Sequence, residues 1–327
     1  MSKQKEVKNN WSNYAVRIVV NTASHPLEYA KVLIQLGHEP VPPRPSTTLF
    51  GKPALKLPNI FEYVKYIKSV DGLTGCYRGL FPKVCGNLVC AITTEKVLEK
   101  LQYEVNRKND DLKDDELDGD EFQEHKNDGT KQEDEKAKFI KNLKKDLISR
   151  VSSIIISHPF HVITIRMMAQ FVGHETKYSG LFSSIVEVYR ENGFLGFFSG
   201  LVPRVIGDII FSILASTATY AVNTYIFEET ELQMYTSATM SFIASAITYP
   251  FQVVANCMAV SRSGLIAGQP PAMPLYNNWV SCWLDLSRQN QLKRGSSLLI
   301  RYYVGPQVVI SGRAVPVPKK DHLNLHF

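Results

Sequence analysis

Ser157-His158-Pro159-Phe160-His161-Val162-Ile163-Thr164-Ile165-Arg166 lies in an apolar run. After a polar break comes Glu191-Asn192-Gly193-Phe194-Leu195-Gly196-Phe197-Phe198-Ser199-Gly200-Leu201-Val202-Pro203-Arg204. Two weaker copies of this arrangement flank it. Upstream, Ser24-His25-Pro26-Leu27-Glu28 leads to Asp71-Gly72-Leu73-Thr74-Gly75-Cys76-Tyr77-Arg78-Gly79-Leu80-Phe81-Pro82-Lys83. Downstream, Thr248-Tyr249-Pro250-Phe251 leads only to Lys293-Arg294-Gly295, with no Pro-x-basic continuation. Similar units in one chain bury their apolar faces against one another, so the sequence reads as repeats, the third of them incomplete.

Working outward from the three prolines, each unit reads as an apolar helix, a short amphipathic helix and a second apolar helix. A proline removes one backbone hydrogen bond and kinks its helix, which membrane helices accept when neighbours compensate. Residues 11–37 are apolar around Pro26, and Pro40, Pro42, Pro43 and Pro45 predict an extended loop after them. Residues 57–69 place Ile60, Phe61, Val64 and Ile67 at helical spacing against Glu62, Lys65, Tyr66 and Lys68, the pattern of a helix lying at an interface. Residues 178–191 and 276–289 repeat that pattern. Spans are expected at 11–37, 80–103, 139–171, 200–227 and 232–261. The last contains thirty consecutive residues without a formal charge, about 45 Å of helix, longer than a hydrocarbon core of about 30 Å. After Gly295 the pattern fails: only residues 296–300 are apolar before Arg301, and Pro306, Gly312, Pro316 and Pro318 interrupt the rest. Five helices of a six-helix plan are therefore expected.

Composition alone, 44% hydrophobic and 21% charged, would suit a soluble protein. The charges are unevenly placed, however. Residues 110–124 hold nine acidic side chains and one basic, while the whole chain carries +6, so the remainder is distinctly basic. Residues 104–138 are polar and nearly free of aromatics, which predicts a solvated disordered insertion. Such an insertion also explains why Pro26 to Pro159 spans 133 residues and Pro159 to Pro250 only 91. The domain reading is thus repeat one at 1–103, the insertion at 104–138, repeat two at 139–228, an incomplete repeat three at 229–300 and a tail at 301–327. A basic body suits anionic lipid headgroups; no recognition helix, aromatic-basic RNA motif or zinc-finger spacing points to nucleic acid, and none is expected as a partner. Five cysteines without a Cys-x-x-Cys read as reduced thiols. The amino terminus lacks the apolar core of a secretory signal and is poor in Arg for a transit peptide.

Proline in an apolar helix, an acid two residues on and a base five on, then an amphipathic segment and an acidic-Gly turn: this resembles the mitochondrial solute carrier superfamily, three repeats of two membrane helices. More narrowly, residues 26–35, 158–166 and 196–208 resemble the mitochondrial carrier homologue group, its divergent outer-membrane members. The likeness covers residues 14–300, strongest in repeats one and two. It implies an all-α membrane protein, a carrier-like three-repeat bundle with a degenerate or missing sixth transmembrane helix. It also implies a multi-pass place in the mitochondrial outer membrane, where tail-anchored and other α-helical proteins would be inserted. Phospholipid scrambling and docking of pro-apoptotic proteins are its companion implications. In carriers, paired charges after each proline form a ring that closes one end of the cavity. Repeat one keeps Glu28 and Lys31, but repeat two has His161 and Thr164, and repeat three Gln252 and Ala255. With two of three pairs gone, charge-gated solute exchange lacks its closing contacts; a solute transporter of the carrier type stays as the alternative.

Ionisable groups inside a membrane cost about 2.5 to 3.5 kcal/mol each on insertion scales and ordinarily face a bundle interior or water. Glu28, Lys31, Arg166, Arg204 and Asp208 fall within expected spans, accompanied by Gln35, His158, His161, Tyr249 and Asn256. The ten residues predict a polar, hydrated groove which, lacking a sixth helix to close it, opens sideways to lipid and receives membrane-protein clients. Local pairs, Glu28 with Lys31 at i,i+3 and Arg204 with Asp208 at i,i+4, fit the same spacing. His158 and His161 have no Cys or carboxylate at ligand spacing beside them, so no metal is expected there. No Gly-x-Ser-x-Gly elbow or phosphate-cradling loop occurs, which leaves covalent catalysis and bound cofactors without support.

Overall fold

Long uninterrupted runs of helix-compatible residues make the chain mostly helical, and each of the three repeat prolines is absorbed inside a helix rather than ending it. The computed structural model describes residues 2–48, 50–114, 128–225, 230–310 and 313–316. Its helices are α1 (Ser2–Leu36, with Pro26 inside), α2 (Ile60–Gly75), α3 (Leu80–Asp114), α4 (Asp128–Ala169, with Pro159 inside) and α5 (Leu181–Asn192). They continue with α6 (Leu201–Tyr225), α7 (Thr230–Val260, with Pro250 inside) and α8 (Trp279–Arg288). Five short strands complete the described residues: β1 (Arg44–Thr47), β2 (Pro53–Leu57), β3 (Arg301–Tyr302), β4 (Gln307–Ile310) and β5 (Arg313–Pro316).

Two of the three amphipathic helices start on an asparagine cap, while α5 starts on Gly180, which has no side chain to cap it. Asn59 caps α2, its side chain accepting from Glu62 N at 2.9 Å while Glu62 accepts from Asn59 N at 3.1 Å; Asn278 caps α8 by accepting from Ser281 N at 2.8 Å. Each reciprocal bond satisfies orphan amides of the first turn. At α5 the Ser183 hydroxyl accepts from Gly180 N at 3.0 Å. These helices turn small and apolar residues inward, Ser184 and Val188 in α5, and leave Phe182, Val186 and Tyr189 exposed. Large apolar side chains facing outward on a capped helix fit a hydrocarbon boundary.

By internal packing the chain forms two units that cut across the repeats. The first comprises Met1–Val84, His161–Gly200 and Gln252–Phe327; the second comprises Cys85–Phe160 and Leu201–Phe251. In the first unit lie α1, α2, α5, α8 and the strands. Its core gathers Tyr29, Leu33, Tyr63, Ile163, Met168, Phe171 and Val253. Phe171 sits at the centre of an aromatic group, meeting the rings of Tyr29, His38 and Tyr66 edge-on at 6.2, 6.0 and 6.2 Å. In the second unit, α3 and α4 approach where Gly86 leaves room for Phe160, and α6 and α7 where Gly207 leaves room for Phe251. A Cβ on Gly86 or Gly207 would stand 2.9 or 2.6 Å from the neighbouring Cβ.

Several expectations change. The proline-rich loop after α1 is a β-hairpin: β1 pairs antiparallel with β2, because Pro45 and Pro53 lie where an edge or a strand start tolerates the missing N–H. The insertion expected at 104–138 is helical at both ends, since α3 runs on to Asp114 and α4 begins at Asp128; residues 115–127 lie outside the described residues. Among the described residues three helices are long and apolar enough to cross a membrane, at Lys136–Ala169, Phe194–Thr224 and Tyr235–Val260. The other two expected spans, in α1 and α3, form helices of 35 residues each, but their Lys, Arg, Asp and Glu dilute the apolar run. No helix follows α8 among the described residues. In its place Arg301 and Tyr302 form β3 on β2, with Leu57 opposite Arg301 and Lys56 opposite Tyr302, and β4 pairs with β5. The tail thus returns to the hairpin of repeat one. Arg301 anchors it, donating to the Pro58 carbonyl at 2.9 Å and pairing with Glu39.

Candidate functional site

Six of the ten residues expected to line a groove lie in the first unit. Glu28 receives the Lys83 ammonium and, at 3.1 Å, the Ser24 hydroxyl. The base after the proline, Lys31, stands on the same helix, half-buried, as His161 is on α4. Gln35 and Asn256 are both buried and meet, Asn256 donating to the Gln35 side-chain oxygen at 2.7 Å. The Gln35 carbonyl accepts from the Arg294 guanidinium and from the Cys257 thiol at 3.6 Å, so the end of α1, the end of α7 and the turn before Gly295 are tied at one point.

Arg166 is fully buried and fully engaged. Its guanidinium donates to the Ala259 carbonyl at 3.0 Å, the Tyr178 hydroxyl at 3.3 Å, Glu191 at 3.4 Å and Asn192 at 2.8 Å. Tyr178 in turn donates to Glu191 at 2.5 Å. Burial, with the bond to Glu191, raises the Tyr178 pKa well above the usual phenol value and keeps the hydroxyl a donor. A guanidinium whose donors converge on carbonyl, hydroxyl, carboxylate and amide is a structural clamp between α4, α5 and α7.

The remaining four residues lie in the second unit. Arg204 donates to His158 Nδ1 at 3.2 Å; because a guanidinium only donates, that ring nitrogen accepts and the proton of the neutral ring is on Nε2. Asp208 stands 3.8 Å from Arg150, one helix away on α4, while Arg150 also donates to Asp146 at 2.8 Å. Arg204 and Asp208, four residues apart, each take a partner on α4. Tyr249 is half-buried in α7. The side chains of Arg150 and Asp208 are 40% and 27% exposed, although both belong to helices of membrane length and apolarity. Charges that exposed need water beside them. The α6 segment is also the least covered of the three membrane-length stretches, only 22% of it being buried within the protein.

Sequence reasoning missed Lys83, Arg150, Tyr178, Glu191 and Arg294. The signal for Lys83 was present: aligning Gly79-Leu80-Phe81-Pro82-Lys83 with Gly200-Leu201-Val202-Pro203-Arg204 equates Lys83 with Arg204. For Arg150 nothing in spacing couples it to a residue 58 positions later.

Proline-kinked helices in three copies, each followed by a short amphipathic helix, with charged residues kept inside membrane-length segments, define a repeat-built helical membrane protein of the carrier class. The chain belongs to the mitochondrial carrier protein family, whose model matches residues 11–108 and 135–230. It is 40% identical over 286 residues to the human protein named Mitochondrial carrier homolog 2, covering 85% of this chain and 89% of that one. It is 36% identical over 307 residues to the mouse Mitochondrial carrier homolog 1, covering 86% and 74%. A Dictyostelium discoideum mitochondrial substrate carrier family protein W is 28% identical over 117 residues, a third of this chain and 35% of that one.

Proposed function

We propose that this protein is an insertase of the mitochondrial outer membrane, which lowers the barrier for α-helical and tail-anchored proteins to enter the bilayer. The observation that carries the reading is the part-exposed Arg150–Asp208 pair on two membrane-length helices, beside the sparsely covered α6. Water held at such charges solvates the polar flank of an incoming helix while its apolar side slides into lipid. The same lane would let a phospholipid headgroup cross with its acyl chains outside, giving scrambling as a companion activity. Docking of pro-apoptotic proteins belongs to the same reading through the family resemblance.

The competing reading is solute exchange of the carrier type, favoured by family membership. Against it stands the loss of the paired charges after Pro159 and Pro250, and the strand in place of a sixth helix. Reconstitution of the purified chain in liposomes separates the two. Insertion of a tail-anchored protein and exposure of labelled lipid, without uptake of small anions, is expected. Gated anion uptake without insertion would establish the carrier reading instead.

A further inference from the structure

The hairpin that replaces the expected loop carries two cations face to face. Arg44 on β1 and Lys56 on β2 are directly opposed in the antiparallel register, so their side chains leave the same face of the ribbon. Like charges in that position are destabilising unless something negative lies between or beside them. A third cation, Lys65 of α2, lines the same pocket, a cleft of about 610 Å³ between the hairpin and the helix. The one acid among its lining residues, Glu62, is occupied in capping α2 through Asn59. Among the described residues none of the three cations has an ion pair or a side-chain hydrogen bond. The pocket therefore concentrates positive charge in a volume typical of small-ligand sites.

Two further features select the ligand. The hairpin turn presents Phe50, 91% exposed, and α2 presents Phe61, 60% exposed. Aromatic side chains held out beside basic ones suit the boundary between headgroups and hydrocarbon, where a basic group is drawn to an anionic surface. Tyr66 and Pro45 add apolar wall to the cleft. We propose that this pocket binds the phosphate of an anionic phospholipid headgroup. Arg44 and Lys56 grip it from the ribbon and Lys65 from the helix, while Phe50 and Phe61 sit in the acyl boundary. The site uses none of the residues invoked for insertion, so either proposal can fail alone.

The test uses the full chain purified in nonionic detergent. Thermal unfolding and retained lipid are measured with phosphatidylinositol, with phosphatidylcholine and with soluble glycerophosphate, for the wild type, the double variant Arg44→Ser/Lys56→Ser, Lys65→Ser and the control Lys68→Ser, whose residue does not line the pocket. Phosphatidylinositol should stabilise the wild type and Lys68→Ser more than phosphatidylcholine does. The double variant should lose at least tenfold in affinity, and Lys65→Ser several-fold. Without lipid the double variant should unfold no earlier than the wild type, because the opposed cations repel. Wild-type affinity in the double variant would overturn the proposal. So would displacement of the lipid by glycerophosphate at equal concentration, which marks a free-phosphate site, or early unfolding of the lipid-free double variant, which marks a structural role.

Discussion

Asp208→Asn separates a water-bathed charge from a buried one. Asp208 stands 3.8 Å from Arg150, beyond hydrogen-bond reach, and Arg150 keeps its 2.8 Å bond to Asp146 when the charge at 208 is removed. Both partners are partly exposed, so solvent screens the pair and its loss costs about 0 to 1 kcal/mol. Arg166→Met offers the contrast. It deletes four donated hydrogen bonds from a fully buried guanidinium and leaves Glu191 facing Tyr178 and the Lys177 ammonium at 3.6 Å, a loss of about 3 to 5 kcal/mol. On a protein of ordinary marginal stability that difference separates a folded variant from one that is largely lost. Guanidinium or thermal unfolding of both variants in detergent, read beside client insertion in liposomes, gives the comparison. Asp208→Asn should unfold with the wild type yet insert a tail-anchored client several-fold more slowly, because Arg150 and Arg204 are left in excess and hold passing polar segments longer. Destabilisation of Asp208→Asn equal to that of Arg166→Met would refute the hydrated lane, and wild-type insertion by a folded Asp208→Asn would refute its role.

Reversal at Lys31→Glu should leave the protein folded and raise the insertion rate, since it adds a second acid three residues from Glu28 where a cation would retain anionic groups; a slower rate would point the other way. Gly200→Ala should cost at least about 2 kcal/mol in thermal unfolding, because Gly200 has φ +79° and an added Cβ would lie 2.4 Å from the Ala255 carbonyl oxygen, a backbone atom that cannot rotate away. Burial, reinforced by His174, holds the His38 pKa below its ordinary 6.5, so the folded state favours the neutral ring. The resulting stability is complete above pH 6.5 and is lost as pH falls from there towards the folded value. His38→Gln should flatten that part of a pH-stability profile, and an unchanged slope would exclude the histidine as its source. If all five helices of the repeat plan cross the bilayer, protease protection of terminal tags should place Met1 and Phe327 on opposite sides; protection of both or neither would reduce the count to an even number.

The sequence by itself determined the repeat plan, because its signals are local. A proline in an apolar run, apolar residues at helical spacing and an acidic-Gly turn act through bonds made within a few residues. The observed helices α2, α5 and α8 accordingly start within three residues of where the pattern placed them. The break after Gly295 was legible for the same reason, as an apolar run too short for a span. Only the tertiary structure decided how the polar residues are used. Spacing made Arg166 and Asp208 alike, charges inside expected spans. Packing made one a buried clamp on Tyr178, Glu191, Asn192 and Ala259, and the other a part-exposed partner of Arg150. The hairpin was illegible because its strands, of four and five residues, are too short for alternation to register, and because β2 is held by pairing with residues 301–302 at the far end of the chain. Pairing across that distance depends on the chain having folded back, which no local pattern encodes.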